Sequence, residues 1–212
     1  MLKRIFFIIA YPFMLLYYVF SFPFKIAYII ISDKKGSKKK SNPTAEFDIK
    51  KVGHLLFPDL HKDFDAFLKL YTTDKTEFAK KYKEIQTDCA DLSQLELIQS
   101  FGDINQKFSV IDWKGEEDEF KIEDFIQEQI LQDIAWTNAN SLRKSVAQDE
   151  QRDGKFIVKL FQAIDTDLQL LNFRLLFLNM SWDAYVFLPV SRQTFDKIFQ
   201  LEPNQFDKAN EL

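Results

Sequence analysis

The sequence predicts an α+β protein in which an N-terminal transmembrane helix precedes a helix-rich domain with a small, mostly antiparallel sheet. Three observations lead to this fold class. Residues 5–24 contain no charged side chain, apolar residues recur at helical spacing between residues 64 and 171, and two apolar segments flank a short polar turn at residues 181–183. The first pattern is typical of a membrane span, the second of helices packed on a core, and the third of a β-hairpin.

The uncharged segment is long enough to cross a bilayer, because its 20 residues, at about 1.5 Å per residue, reach about 30 Å. After Lys25 the chain is apolar again through Ser32. Residues 26–32 are too short to cross a second time, so we interpret them as the last turns of a tilted helix or as a piece lying in the interface. A cleaved signal peptide fits less well, because no small-x-small cleavage site follows. We predict a membrane anchor over residues 1–32 that contacts the lipid bilayer through residues 5–32.

The charge around the anchor predicts its orientation. Residues 1–40 contain eight Lys and Arg against one Asp, a net charge of +7, and five of the lysines lie in residues 34–40. The positive-inside rule therefore predicts a single-pass protein of the inner (cytoplasmic) membrane with its domain in the cytoplasm. Because both flanks are basic, a hairpin bent at Pro12 or Pro23 stays open as an alternative. Both arrangements leave the domain on the cytoplasmic side.

Beyond the anchor, composition changes twice. Residues 33–45 are polar, contain Gly36 and Pro43 and show no periodicity, so they are interpreted as a basic linker. An acidic globular domain is expected over residues 46–212. Residues 41–212 contain 20 Lys and Arg against 31 Asp and Glu, a net charge of −11. A domain this acidic is repelled by phosphate backbones, so we expect no nucleic-acid partner, whereas a basic protein partner would fit.

Five segments of the domain show the apolar spacing of amphipathic helices, and a sixth helix is expected over residues 191–201. Asp74 is predicted to cap the second helix and Gly102 to end the third. The apolar positions are Phe64, Phe67, Leu68 and Tyr71; Phe78, Tyr82 and Ile85; Leu92, Leu95, Ile98 and Phe101; Ile122, Phe125, Ile126 and Ile130; and Ile157, Leu160, Phe161, Ile164, Leu168 and Leu171.

Three short segments have β-strand character. "KFSVIDW" is β-branched and aromatic, which favours a strand. "FRLLFLNM" and "AYVFLPV" flank a polar turn of Ser181, Trp182 and Asp183, which predicts a hairpin with a longer loop.

The acidic stretch "SVIDWKGEEDEFKIEDF" contains the one candidate for catalysis. Asp112 and Lys114 follow an apolar strand as D-x-K, which resembles the second half of the motif of PD-(D/E)xK nucleases. The resemblance implies that a carboxylate holds Mg²⁺ while the lysine orients water. The partner aspartate is missing from the expected place, because the segment before Ser109 has a helical pattern. The Pro58-Asp59 pair lies upstream, also in a helical context.

A structural interpretation of the same stretch is preferred. Gly115 turns the chain after the strand, and the four acidic residues that follow it would occupy the first turn of the next helix. The helix dipole favours anions there by about 0.3–1 kcal/mol each. These four residues are Glu116, Glu117, Asp118 and Glu119.

Other chemistries have less support in the sequence. His54 and His61 could share a helix face near Asp63, but ligand pairs on a helix usually stand three or four residues apart. Cys89 is the single cysteine, which excludes an internal disulfide. The five glycines form no phosphate-binding or hydrolase pattern. We therefore predict no cofactor and no metal site.

Two longer segments resemble an uncharacterised bacterial family, known only as a domain of unknown function. They are "FGDINQKFSVIDWKGEEDEF" and "LQLLNFRLLFLNMSWDAYVFLPV", and the similarity spans roughly residues 100–200. Family members pair a strand ending in D-W-K with a late hairpin of the S-x-D-x-Y type, matched here by Ser181, Asp183 and Tyr185. The resemblance implies the strands and transfers no function.

The sequence thus predicts a membrane-anchored bacterial protein of unknown activity. Its acidic cytoplasmic domain is expected to act as a binding or accessory module, including an immunity-type role, with a basic protein partner. The alternative is a Mg²⁺-dependent nuclease or phosphodiesterase that uses Asp112 and Lys114. A second carboxylate within about 4–5 Å of Asp112 would favour the alternative, since both must reach one cation.

Overall fold

The computed structural model describes residues 47–83, 92–116, 118–147, 151 and 153–212. Glu46–Leu212 forms one compact unit. The predicted anchor of residues 1–32 and the basic linker of residues 33–45 lie outside the described residues. None of the helices within the described ranges is both long and apolar enough to cross a membrane.

The domain is α+β, as predicted, with one four-stranded sheet and helices against both of its faces. All strand pairs are antiparallel. A 3-10 turn, Pro58–Leu60, separates the first two helices. In chain order the elements are α1 Ile49–Leu56, α2 His61–Thr73, α3 Lys75–Lys81, α4 Gln94–Ile104, β1 Ser109–Asp112, α5 Lys121–Ile130, α6 Thr137–Ser145, α7 Gly154–Gln169, β2 Phe173–Leu178, β3 Ala184–Ser191, α8 Arg192–Leu201 and β4 Phe206–Lys208.

The strands lie in the order β1-β3-β2-β4. The predicted hairpin is confirmed, because β2 and β3 pair from Phe173 opposite Ser191 to Leu178 opposite Val186. The predicted first strand is also confirmed and lies at one edge, against the start of β3. The strand β4 at the other edge was not predicted, and its three residues are too short for a recognisable alternation.

Alternate side chains of the central strands enter two separate cores. Leu176 and Val186 point to the face covered by α1, α2, α3, α4 and α8. Phe177 and Phe187 point to the other face, where α5, α6 and α7 pack. A sheet buried on both faces needs apolar residues at every position, which explains why the hairpin strands are continuous apolar runs.

Side-chain caps start several helices where the sequence predicts them. The Asp74 carboxylate accepts a hydrogen bond from the Glu77 backbone N–H at 2.9 Å and begins α3. Ser191 begins α8 by accepting from the Thr194 N–H at 3.1 Å. Helix α3 ends before Tyr82, and Ile85 lies outside the described residues.

Gly102 does not end α4, contrary to the prediction. The helix continues to Ile104, and Gly102 lies inside it, beneath the ring of Phe108. A Cβ atom at Gly102 would come within 2.1 Å of Phe108 Cδ2. The glycine is therefore a place of close packing between α4 and the segment leading into β1, not a helix terminator.

Helix α6 was not predicted, because its sequence, TNANSLRKS, has no clear apolar stripe. Its start is capped from another helix. The carboxylate of Asp167, in α7, accepts hydrogen bonds from the backbone N–H of Asn138 at 3.0 Å and of Ala139 at 3.1 Å. A cap supplied by a residue distant in the chain leaves no local signal.

Candidate functional site

Two motifs that are distant in the sequence meet at one end of the sheet. The register places Asp112, at the end of β1, opposite Ala184, at the start of β3. Beyond this pair, the Trp113 backbone N–H donates a hydrogen bond to the Asp183 carbonyl at 3.3 Å. The D-W-K segment and the S-x-D-x-Y hairpin are therefore parts of one surface.

Two large aromatic side chains are exposed on this surface. Trp113 is 46% exposed and Trp182 is 49% exposed. Trp113 also lies against Gly154, where a Cβ atom would come within 3.1 Å of Trp113 Cε3. Exposed tryptophans are common at the centres of binding surfaces, since each brings a large apolar area with little conformational entropy to lose. We define the tryptophan surface as Asp112, Trp113, Lys114, Asp153, Trp182 and Asp183.

The tryptophan surface carries three exposed carboxylates and one cation. Asp112 Oδ1 accepts a hydrogen bond from the Lys114 backbone N–H at 2.8 Å, and Asp153 caps α7 by accepting from the Lys155 N–H at 3.2 Å. The Lys114 Nζ lies over the Trp113 ring, 5.4 Å from its centroid. This cation–π contact shows that the exposed ring face can hold an ammonium group.

Ser181 and Tyr185, the other residues of the S-x-D-x-Y motif, are not part of the tryptophan surface. Tyr185 is half-buried on the face of the sheet that α7 covers. Its ring packs edge-on against the Phe161 ring, with centroids 5.3 Å apart. Burial raises the pKa of its hydroxyl. Ser181 is exposed in the hairpin loop with φ of 55°.

Neither tryptophan was singled out from the sequence as a binding residue. A signal was available for Trp182, because it stands in the predicted hairpin turn, where a large apolar side chain has no core to enter. Trp113 is the last residue of a predicted strand. That their two segments lie side by side could not be predicted, since it depends on the pairing of β1 with β3.

Asp112 and Lys114, the residues of the nuclease alternative, lie in an exposed turn that Gly115 completes with φ of 112°. The Lys114 ammonium contacts Trp113. Within the described residues, no three or more His, Cys, Asp or Glu side chains are grouped so as to hold a metal ion. A catalytic role of Asp112 and Lys114 stays the alternative to the preferred structural interpretation, and it can be tested directly.

Mg²⁺ is expected to leave the melting temperature of the protein unchanged. A metal site at Asp112 would instead stabilise the fold by RT ln(1 + [Mg²⁺]/Kd). Asp112→Asn should cost about 1 kcal/mol, because it weakens one exposed hydrogen bond. Thermal melting with and without Mg²⁺ measures both effects, with exposed Asp118→Asn as the control. A rise with Mg²⁺ that disappears only in Asp112→Asn would favour the nuclease.

The acidic residues after β1 do not form the first turn of a helix, contrary to the prediction. Helix α5 begins at Lys121 and has Glu123 and Asp124 in its first turn. Glu116 instead turns inward and pairs with Arg143 in α6, with Oε2 and Nη2 2.6 Å apart. Glu117 lies outside the described residues. The prediction relied on the helix dipole, but the buried guanidinium of Arg143 attracts the Glu116 carboxylate more strongly.

Arg143 joins two carboxylates in a buried cluster, which we call the arginine cluster and define as Glu116, Glu123 and Arg143. Arg143 Nε also donates to Glu123 Oε1 at 2.9 Å, and the three side chains are only 6%, 2% and 5% exposed. The guanidinium carbon of Arg143 lies 4.8 Å from the centroid of the Phe120 ring. Burial raises the pKa of Glu116, although the Ile122 N–H and Arg143 both favour its charged form. The cluster ties the segment after β1 to α6.

The two histidines lie on separate helices, so the expected shared helix face is wrong. Helix α1 ends at Leu56, and Pro58 begins the turn before α2. The His54 and His61 rings nevertheless stack, with centroids 4.4 Å apart and planes 16° from parallel. Cys89 lies outside the described residues.

Comparison with known families now bears on the whole domain. The family DUF6630, a domain of unknown function, matches residues 49–204. The chain belongs to the DUF6630 family. This confirms the resemblance to an uncharacterised family and extends it from the predicted segments to α1. No curated protein and no solved structure matches the chain. In this DUF6630 domain the two motifs form one surface, while the family itself transfers no activity.

Proposed function

We propose that the domain is a protein-binding module that takes a basic segment of a partner on the tryptophan surface. One observation carries the proposal: the β1–β3 pairing brings together the two segments that carry the half-exposed tryptophans and the exposed carboxylates of Asp112 and Asp183. An accessory or immunity-type role follows naturally from such a module, because it acts by occupying its partner.

The chemistry of this surface suits arginine and lysine side chains. A cation over an exposed aromatic ring gains about 0.5–1 kcal/mol, and a neighbouring carboxylate can accept hydrogen bonds from the same guanidinium. Lys114 already occupies one face of Trp113, so a partner would replace an internal cation by an external one. The net charge of −11 over residues 41–212 would also speed the approach of a basic partner.

An octa-arginine peptide is the probe for this surface. Trp113→Ala and Trp182→Ala should each weaken peptide binding about tenfold, because each removes a ring that holds a cation and excludes water. Titration of the full chain in a non-ionic detergent, followed by calorimetry, measures the affinity. Trp136→Phe is the matched control, since Trp136 is half-buried and packs against the core of the other helical layer.

This comparison separates a specific surface from attraction to an acidic domain. None of the three tryptophan changes alters the charge of the protein, so non-specific attraction would be the same in all variants. Equal affinity of the wild type, Trp113→Ala and Trp182→Ala would contradict the proposal. The expected order is tight binding by the wild type and Trp136→Phe, and weak binding by the other two.

We further propose that residues 5–32 attach this module to the inner membrane, with the domain in the cytoplasm. Support comes from the uncharged segment and the lysines that follow it. The full chain should remain in the membrane pellet after carbonate extraction, whereas a chain without residues 1–40 should be soluble and folded. Full-length protein in the supernatant would contradict membrane anchoring and leave the binding proposal to its own test.

A further inference from the structure

A cleft lies where side chains of α1, α2 and α8 approach one another, away from the tryptophan surface. Its volume is about 460 Å³. We call it the histidine cleft, lined by Lys51, His54, Leu55, His61, Lys197, Gln200 and Leu201.

The lining of the histidine cleft is basic although the domain is acidic. Among the described residues that line the cleft are two lysines and two histidines and no carboxylate. Lys51 forms an exposed ion pair, with its Nζ 2.9 Å from Asp48 Oδ2. His54 is hydrogen-bonded through Nε2 to Asp65 Oδ1 at 2.9 Å. Exposed pairs of this kind are weak in water, so Lys51 can turn from Asp48 to a bound anion at little cost.

The stacked rings of His54 and His61 form one side of the cleft. His61 Nε2 donates a hydrogen bond to the His54 carbonyl at 2.7 Å, and His54 Nε2 donates to Asp65. Both Nε2 atoms therefore carry a proton. Among the described residues neither Nδ1 atom has a hydrogen-bond partner.

The remaining lining is mainly apolar. Leu55 is partly buried against the core, and Leu201 is exposed at the end of α8. Gln200 adds one neutral polar group. A ligand that fills this cleft would place an anionic group near the lysines and an apolar part against the two leucines.

We propose that the histidine cleft binds a phosphate-bearing amphiphile. Lys51 and Lys197 supply the charge that a phosphate group requires, the stacked histidine rings form one side of the cleft, and Leu55 with Leu201 contacts the apolar part. A phospholipid headgroup and a soluble phosphate compound share this chemistry. The inference is independent of the proposed protein-binding function, because no residue belongs to both surfaces.

Binding can be measured with the full chain in a non-ionic detergent and three probes. They are dihexanoyl phosphatidate, dihexanoyl phosphatidylcholine and inorganic phosphate, each below its micelle concentration where one exists. Lys197→Glu should weaken phosphatidate binding about tenfold, since it replaces a charge-assisted contact by repulsion. Lys51→Glu is a second variant with the same expectation. Lys159→Glu is the control, because this exposed lysine lies on α7 and makes the same change in net charge.

The probes distinguish the two sources. Tight binding of phosphatidate, with weaker binding of phosphate, supports a lipid ligand if Lys197→Glu removes it and Lys159→Glu does not. Equal binding of phosphate under the same variants supports a soluble phosphate compound. The proposal is overturned if the wild type binds neither anionic probe, if phosphatidylcholine binds equally well, or if all three lysine variants weaken binding to the same extent.

Discussion

Replacing Arg143 with alanine is expected to lower the free energy of unfolding by about 3–5 kcal/mol, because it leaves two buried carboxylates without a cation. Arg143 makes hydrogen bonds to Glu116 and Glu123. None of the three side chains has enough exposure for water to replace these bonds. Urea unfolding measures the loss.

The loss should depend on pH in a defined direction. Burial already raises the pKa of Glu116 above its ordinary value of 4.5, and removal of the guanidinium would raise it further. At pH values between 4.5 and the raised pKa of Glu116, the folded protein therefore binds more protons than the unfolded chain. The free energy of unfolding falls as the pH rises through this range. The deficit of Arg143→Ala should be larger at pH 8 than at pH 5.

Two comparisons test the reason for this loss. Arg192→Ala removes an exposed arginine at the start of α8 and should change stability by less than about 0.5 kcal/mol. Adding Glu123→Gln to Arg143→Ala should recover part of the loss, since one buried charge is then neutral. A deficit that is the same at both pH values, and that Glu123→Gln does not reduce, would show that lost packing dominates.

Gly102→Ala is expected to destabilise the domain by about 1–3 kcal/mol, because the added methyl group overpacks a filled space. The new Cβ atom would lie 2.1 Å from Phe108 Cδ2 and 2.2 Å from Cε2. Local helix propensity predicts the opposite sign, since alanine is favoured over glycine by about 1 kcal/mol inside a helix. Thermal or urea unfolding decides between the two.

A double-mutant cycle with Phe108→Ala isolates the clash. Phe108→Ala removes the ring above Gly102 and by itself should be strongly destabilising, because Phe108 is buried. In that background Gly102→Ala should be neutral or stabilising, as helix propensity then decides. A stabilising effect of Gly102→Ala in the wild type would show that the ring moves aside without cost.

Much of the local structure follows from residues close together in the chain. The Asp74 cap, the start of α8 at Ser191 and the β2–β3 hairpin were all predictable, because a cap or a tight connection is made within a few residues. The apolar spacing also located α2, α4, α5 and α7. Contacts between residues this close in the chain can be predicted from the local sequence.

The candidate site was predictable only in pieces. Asp112 and Asp183 belong to motifs that the sequence shows, but their meeting requires β1 to pair with the start of β3. Register between strands distant in the chain depends on both cores being filled, and no local pattern contains that information. For this reason the tryptophan surface could be recognised only in the tertiary structure.

By itself the sequence determined the α+β class, the acidic character of the domain and the starts of α3 at Asp74 and α8 at Ser191. The tertiary structure alone decided where Glu116 points, which residue caps α6 and why position 102 is a glycine. In each of these cases the deciding partner, Arg143, Asp167 or Phe108, is brought close by packing. A buried charge, an unpaired N–H group or a filled space costs more than a helix propensity or an interaction with a helix dipole, so these partners decide the local structure.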